Sequence, residues 1–272
     1  MDDSTSSHSL NVGRWANGEY SQQRDAVACE QAIALVYNGI SHAVMMSTPS
    51  DLGDLAIGFS LSEAVVDKPS EIYSQTLEQH TNGIEIHIDI SAQRFALLKE
   101  KRRRQVGISG CGLCGAESLD AAVRPIERSS DKPLESALIE CSAIVKCLTL
   151  FEQQQKLRAE TGAIHAAAWC TVAGDVLMVR EDIGRHNAVD KVLGAAIRAK
   201  HNLNRGYLLL SSRISFEIVQ KAATLGVNTI VAVSAPTSLA VSCADAAGIC
   251  LVGRARADRI IVYTERVGVS FE

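Results

Sequence analysis

The spacing of hydrophobic positions changes several times along the chain, and each change predicts an element. Ile84, Ile86, Ile88 and Ile90 alternate with Glu85, His87 and Asp89, the period of a strand with one buried face and one polar face. Two strand-like runs within 32–46 flank Asn38-Gly39, a pair that tolerates positive φ at both positions and so predicts a two-residue hairpin turn. Thr48-Pro49-Ser50-Asp51 predicts a helix start. Thr48 is the expected cap, Pro49 fits the first turn, and Asp51 faces the positive end of the dipole. That helix is expected to run to about 66, and a second over 94–105 ends in a basic run that includes Lys101, Arg102, Arg103 and Arg104.

Beyond the linker-like stretch 129–133 the pattern becomes that of a layered α/β unit. A helix is predicted over 134–155, a hairpin over 165–171 and 176–180 around Ala173-Gly174, and helices over 184–200, 215–225 and 237–247. Between them, 207–211 and 229–234 are short continuous apolar runs, and 249–252 and 260–263 complete the strands. Such runs alternating with helices predict a largely parallel sheet covered on both faces. Residues 1–28 are polar and aperiodic and are expected to be a disordered lead-in. The fold class is therefore α/β, with a smaller N-terminal α+β domain over 29–130 and a three-layer α/β/α domain over 131–272. The element order of the second domain resembles the cytidine deaminase fold, whose zinc ligands lie at two helix starts as H-x-E and P-C-x-x-C. Here those places hold His186-Asn187-Ala188 and Ser211-Ser212-Arg213. The glutamate and the cysteine pair are missing, which speaks against a zinc deaminase and leaves a pocket for a nucleotide.

Composition narrows the classes. The 272 residues are 47% hydrophobic and 21% charged, with a net charge of −4. Nothing there draws the whole chain to nucleic acid or an anionic membrane, so no nucleic-acid partner is expected. No run approaches the roughly 18 apolar residues of a membrane span, and residues 1–9 lack the order of a signal peptide. A cytoplasmic location is expected. Among eight cysteines only one pair has C-x-x-C spacing, so Cys29, Cys141, Cys147, Cys170, Cys243 and Cys250 are expected to be buried structural thiols and the pair to be the active one.

That pair is Cys111 and Cys114, in a loop with four glycines among residues 107–115, directly after the basic run. Nearby cations and free backbone N–H groups lower a thiol pKa. Half of a zinc site, a dithiol redox pair, an inert pair and a persulfide carrier are the competing readings. Zinc lacks further ligands at suitable spacing, and spacing alone does not choose between redox and persulfide chemistry. A second group comprises Arg185 and His186 at a helix start, and Ser211 and Arg213 between a buried strand and the next helix. Helix starts at the carboxyl ends of strands collect N–H groups and favour phosphates. Ordinary capping is the simpler reading for Thr237. A third group, Arg254-Ala255-Arg256-Ala257-Asp258-Arg259, places three arginines where a phosphate could be held bidentately and an aspartate where a guanine edge could pair.

Several ordered strings resemble the FdhD/NarQ family of formate dehydrogenase accessory sulfurtransferases. They are ALVYNGISHAVMM from Ala34, LAIGFSLSEAVV from Leu55, GCGLCG from Gly110, HAAAW from His165, EDIGRHNAVDK from Glu181, SSRISFEIVQKAATLGV from Ser211, VSAPTSLAV from Val233 and ICLVGRARADRIIVYT from Ile249. The resemblance spans about 32–264. It implies a homodimeric enzyme of molybdenum cofactor biosynthesis that accepts sulfur from a cysteine desulfurase as a persulfide. The sulfur passes to the bis-molybdopterin guanine dinucleotide cofactor, carrying molybdenum or tungsten, needed by the client formate dehydrogenase. It implies Cys111 as carrier with Cys114 assisting, and residues 254–259 as a guanine-nucleotide cofactor stretch. The cofactor is a bound substrate, and no intrinsic metal is expected. The alternative is a cofactor-binding chaperone that moves no sulfur.

Overall fold

The structure, a computed structural model, describes residues 6–104, 138–264 and 269–271. Cys111, Cys114 and the expected domain boundary at 130/131 lie outside the described residues.

The expected lead-in is a hairpin. Strands β1 (Ser7–Ala16) and β2 (Glu19–Ala28) pair antiparallel from end to end. Their turn is Asn17-Gly18, with φ of 54° and 86°, the same turn chemistry read correctly at Asn38-Gly39. The strands escaped notice because most of their side chains are exposed on both faces, which erases the two-residue period. At 32–46 the expected hairpin is present as β3 (Gln31–Tyr37) and β4 (Ile40–Ser47).

These strands join β5 (Ile72–His80) and β6 (Gly83–Ile90) in a four-stranded sheet of order β4-β3-β6-β5. Only β3 and β6 run parallel. Ile33, Leu35, Tyr37, Ile84, Ile86, Ile88 and Ile90 bury one face against α1 (Leu52–Ser62) and α2 (Ala92–Arg104). Strand β5 was not anticipated, because its residues are polar and mostly exposed at the sheet edge. Helix α1 also starts later than expected. Asp51 is its N-cap residue, in left-handed conformation with φ of 54° and no side-chain cap bond, while the Thr48 hydroxyl is drawn away to a buried carboxylate.

After β7 (Ile139–Glu140), α3 (Cys141–Gln154) and α4 (Lys156–Thr161), the chain builds a six-stranded sheet. Its strands are β8 (His165–Cys170), β9 (Val176–Asp182), β10 (Tyr207–Leu210), β11 (Thr229–Ala232), β12 (Cys250–Arg256) and β13 (Arg259–Val262), in order β13-β12-β11-β10-β8-β9. The expectation of a largely parallel sheet is corrected: only β10, β11 and β12 are mutually parallel, and β8, β9 and β13 pair antiparallel. Hairpin connections at both sheet flanks cause this, since a two-residue or short turn reverses the chain. Leu208 and Leu210 face α5 (Arg185–Arg198), α6 (Phe216–Thr224) and α7 (Ser238–Ala247), whereas Tyr207 and Leu209 face α3. Helices thus cover both faces. A short β14 (Val269–Ser270) pairs with β7.

The two sheets are joined through α1 and α5. Residues 187–196 of α5 are all buried, because the helix lies between the six-stranded sheet and α1. The backbones cross at glycines. A Cβ on Gly58 would lie 1.8 Å from the Asp190 carbonyl oxygen, and one on Gly194 would lie 2.0 Å from that of Asp54.

Candidate anion-binding edge of the C-terminal sheet

The topology brings five chain segments to one sheet edge. Strands β9, β10, β11 and β12 end there, and β8, which runs opposite, begins there. In order across the edge these ends carry 254–259, 233–237, 211–215, His165 and 182–186. Neighbouring strands lie about 4.8 Å apart, so the first and last segments are separated by roughly 19 Å. The loops are laced together: Ile214 N donates to the Ala235 carbonyl and Thr237 N to the Ile214 carbonyl.

At one end stand Arg185 and His186, in the first turn of α5 behind the N-cap Gly184. Arg185 is partly exposed, and its Nε is buried with no hydrogen-bond partner among the described residues. His186 Nε2 lies 3.3 Å from the Ser215 hydroxyl and 3.6 Å from the Glu217 carboxylate, both at the start of α6. Burial, reinforced by the Arg185 charge, holds His186 below the ordinary imidazole value, with Glu217 opposing. His165 is likewise held down by burial and then by Arg185, with Arg158 and Arg213 adding to it. Burial pushes the Glu217 carboxyl up, but the Ser215 hydroxyl, its own backbone N–H, His186 and Arg185 together bring it below its usual range. Arg213 is exposed. Ser211 accepts from Ala166 N at 2.8 Å, which ties it to β8. The arrangement gathers Arg185, Arg213 and two imidazoles around a partly open edge, a setting suited to an anion.

The residues of the motif around Asp182 divide between two tasks. Asp182, Asn187 and Lys191 face inward. Lys191 Nζ lies 2.6 Å from the Asp182 carboxylate, and both side chains are wholly buried. The same carboxylate accepts from Ser47 Oγ, Thr48 N and Thr48 Oγ1, and from Gly184 N and Asn187 Nδ2. It therefore fixes the start of α5 against the end of β4. Glu181 accepts from Leu157 N and Arg158 N and holds the start of α4. Arg185 and His186, both half-buried, take part in neither task.

At the far end, Arg254, Arg256, Ala257, Asp258 and Arg259 are exposed, and Ala255 is fully buried. Arg254 has φ of 51° at an irregularity in the β12–β13 ladder. Its N–H donates to the Ser234 carbonyl. Arg256 Nη1 donates to the Val233 carbonyl at 2.6 Å, so part of that guanidinium is engaged by the fold. Thr237 caps α7, accepting from Ala240 N. His165 and Glu217 have no role in the sequence reading, whereas Ser215 closes its Ser211-to-Ser215 group. A histidine opening an otherwise apolar strand was the available signal for His165.

Among the described residues no group of three or more His, Cys, Asp or Glu could hold a metal ion, and no helix is long and apolar enough to cross a membrane. Of the six cysteines expected to be buried, Cys141 is half-exposed and the other five are buried.

Residues 28–269 match the model of the FdhD/NarQ family. The chain is 44% identical over 253 residues to the Sulfur carrier protein FdhD of Cupriavidus necator, covering 93% of this chain and 86% of that one. It is 42% identical over 255 residues to the protein of the same name in Xanthomonas axonopodis pv. citri, covering 93% and 89%. Its fold is similar, with a TM-score of 0.74 and 23% identity, to the crystal structure of a candidate formate dehydrogenase accessory protein from Desulfotalea psychrophila, covering 96% and 98% of the two chains.

Proposed function

The chain belongs to the FdhD/NarQ family, and from that premise we propose that it is a sulfur carrier for the maturation of formate dehydrogenase. The carrying observation is the 44% identity to a named sulfur carrier over 93% of the chain, in a sequence that holds Cys111 and Cys114 in GCGLCG. In this reading the Cys111 thiolate attacks the terminal sulfur of a cysteine desulfurase persulfide. The donor's S–S bond breaks, the donor thiolate leaves, and Cys111 holds the persulfide. Cys114 assists. The terminal sulfur is then handed to the bis-molybdopterin guanine dinucleotide cofactor, bound as substrate with molybdenum or tungsten, and the later chemistry is the cofactor's.

Two diphosphates make that cofactor strongly anionic, and cations at both ends of one sheet edge support the reading. Arg185, His186, Ser211 and Arg213 would serve one end, and residues 254–259 the other. We read the six-stranded sheet with its helices as deaminase-like, its former zinc positions taken by His186 and Ser211 to Arg213. The protein would work in the cytoplasm as a homodimer, with formate dehydrogenase as client.

Maturation of formate dehydrogenase in cells lacking their own sulfur carrier tests the proposal. The chain should restore activity and Cys111→Ala should not. Restoration by Cys111→Ala would instead favour a chaperone that binds the cofactor and moves no sulfur.

A further inference from the structure

We propose that Cys147 and Cys170 form an oxidisable dithiol in the core, a disulfide modification site separate from Cys111 and Cys114. Cys147 sits on the buried face of α3 with Ala143, Ile144 and Phe151. Cys170 ends β8. Their Sγ atoms are 3.0 Å apart and both side chains have no exposed surface. A disulfide needs about 1 Å of further approach, within reach of side-chain rotation at a helix–sheet contact.

The other described thiols lack these conditions. Burial raises Cys29, Cys141, Cys243 and Cys250, the last to about 11, which makes them poor nucleophiles. Cys147 departs from them. Its hydrogen bond with the Cys170 thiol, and then the neighbouring Tyr207 hydroxyl, lower its pKa against the effect of burial. Cys170 is raised, by burial first and then by Cys147. In the proposed step Cys147 attacks and Cys170 resolves.

With a hydroperoxide as oxidant the step balances. The Cys147 thiolate attacks one peroxide oxygen, the O–O bond breaks, and a sulfenic acid and hydroxide form. The Cys170 sulfur then attacks Cys147 and displaces the sulfenic oxygen, its proton going to the departing hydroxide. Two thiols lose two electrons and two protons, and hydrogen peroxide becomes two waters. Because both sulfurs are buried, oxidation requires local opening of α3 and is slow. The product ties α3 covalently to β8.

The test uses the full chain carrying Cys111→Ala and Cys114→Ala, treated with hydrogen peroxide or diamide, then denatured, alkylated and peptide-mapped. The expected result is loss of two hydrogens, a linked peptide joining Cys147 to Cys170, and a melting temperature raised by several degrees. Cys170→Ser should abolish the link, and reductant should reverse it. Full alkylation of both thiols after either oxidant, over-oxidation without a link, or a link pairing either cysteine with another would overturn the proposal.

Discussion

A carboxylate with no exposed surface persists only when its lone pairs are filled. Asp182 fills them with six donors, from Ser47, Thr48 (N–H and hydroxyl), Gly184, Asn187 and Lys191. Removing one partner of such a pair strands the other charge. Lys191→Met is therefore expected to lower unfolding free energy by about 3–5 kcal/mol, measured by urea denaturation, while the double variant with Asp182→Asn costs less than the sum. This inward role was not legible from Glu181 to Lys191 alone, because three of the six donors belong to residues 47 and 48, about 130 positions away in the chain. Two histidines at the edge set a pH dependence. Their folded-state values lie below the ordinary one, so the unfolded chain takes up protons first. The stability they contribute is present above a pH of about 6.5 and is lost as pH falls toward their folded values. An anion favours the charged imidazoles. Guanosine diphosphate should therefore bind more tightly as pH falls from about 8 to about 6, by up to about tenfold per unit, with proton uptake in calorimetry. Flat affinity across that range would place the nucleotide away from His165 and His186.

At the scale of elements, α1 and α5 approach so closely that glycine is required on both. Gly58→Ala and Gly194→Ala each drive a methyl into a partner carbonyl. Each is expected to cost about 3 kcal/mol or more, measured by thermal or urea unfolding. Gly162→Ala, at φ of 70° with open space around it, should cost only about 1 kcal/mol for its backbone strain. The elements that were legible are those with one environment along their length. Ile84 to Ile90 alternate against a single core, and 207–211 and 229–234 are apolar because both sheet faces are covered. The β1–β2 hairpin and β5 were not, since exposed strands carry no burial signal. Their turns did, in Asn17-Gly18, and the polar flanks hid it. The direction of β13 follows from its short turn to β12 and that of β8 from its hairpin to β9, whereas the apolar runs themselves carry no direction.

For the whole molecule, charged side chains reinforce the helix crossing. Asp54 of α1 is buried and accepts from Arg180 of β9 and Arg198 of α5. The four-stranded and six-stranded sheets are thereby held as one framework, and the sheet edge keeps its order of cationic segments from 182–186 to 254–259. The edge was partly legible: Arg185, His186, Ser211, Arg213 and 254–259 do meet along one side of one sheet. What the sequence could not reveal is which of them the fold already employs, as with Ser211, Ala255 and part of Arg256. The central claim is that this framework serves a cysteine that carries sulfur. Intact-mass measurement after incubation with a cysteine desulfurase and cysteine tests it most directly. The account predicts a gain of one sulfur atom on the wild-type chain and none on Cys111→Ala; no gain on either, or an equal gain on both, would contradict it.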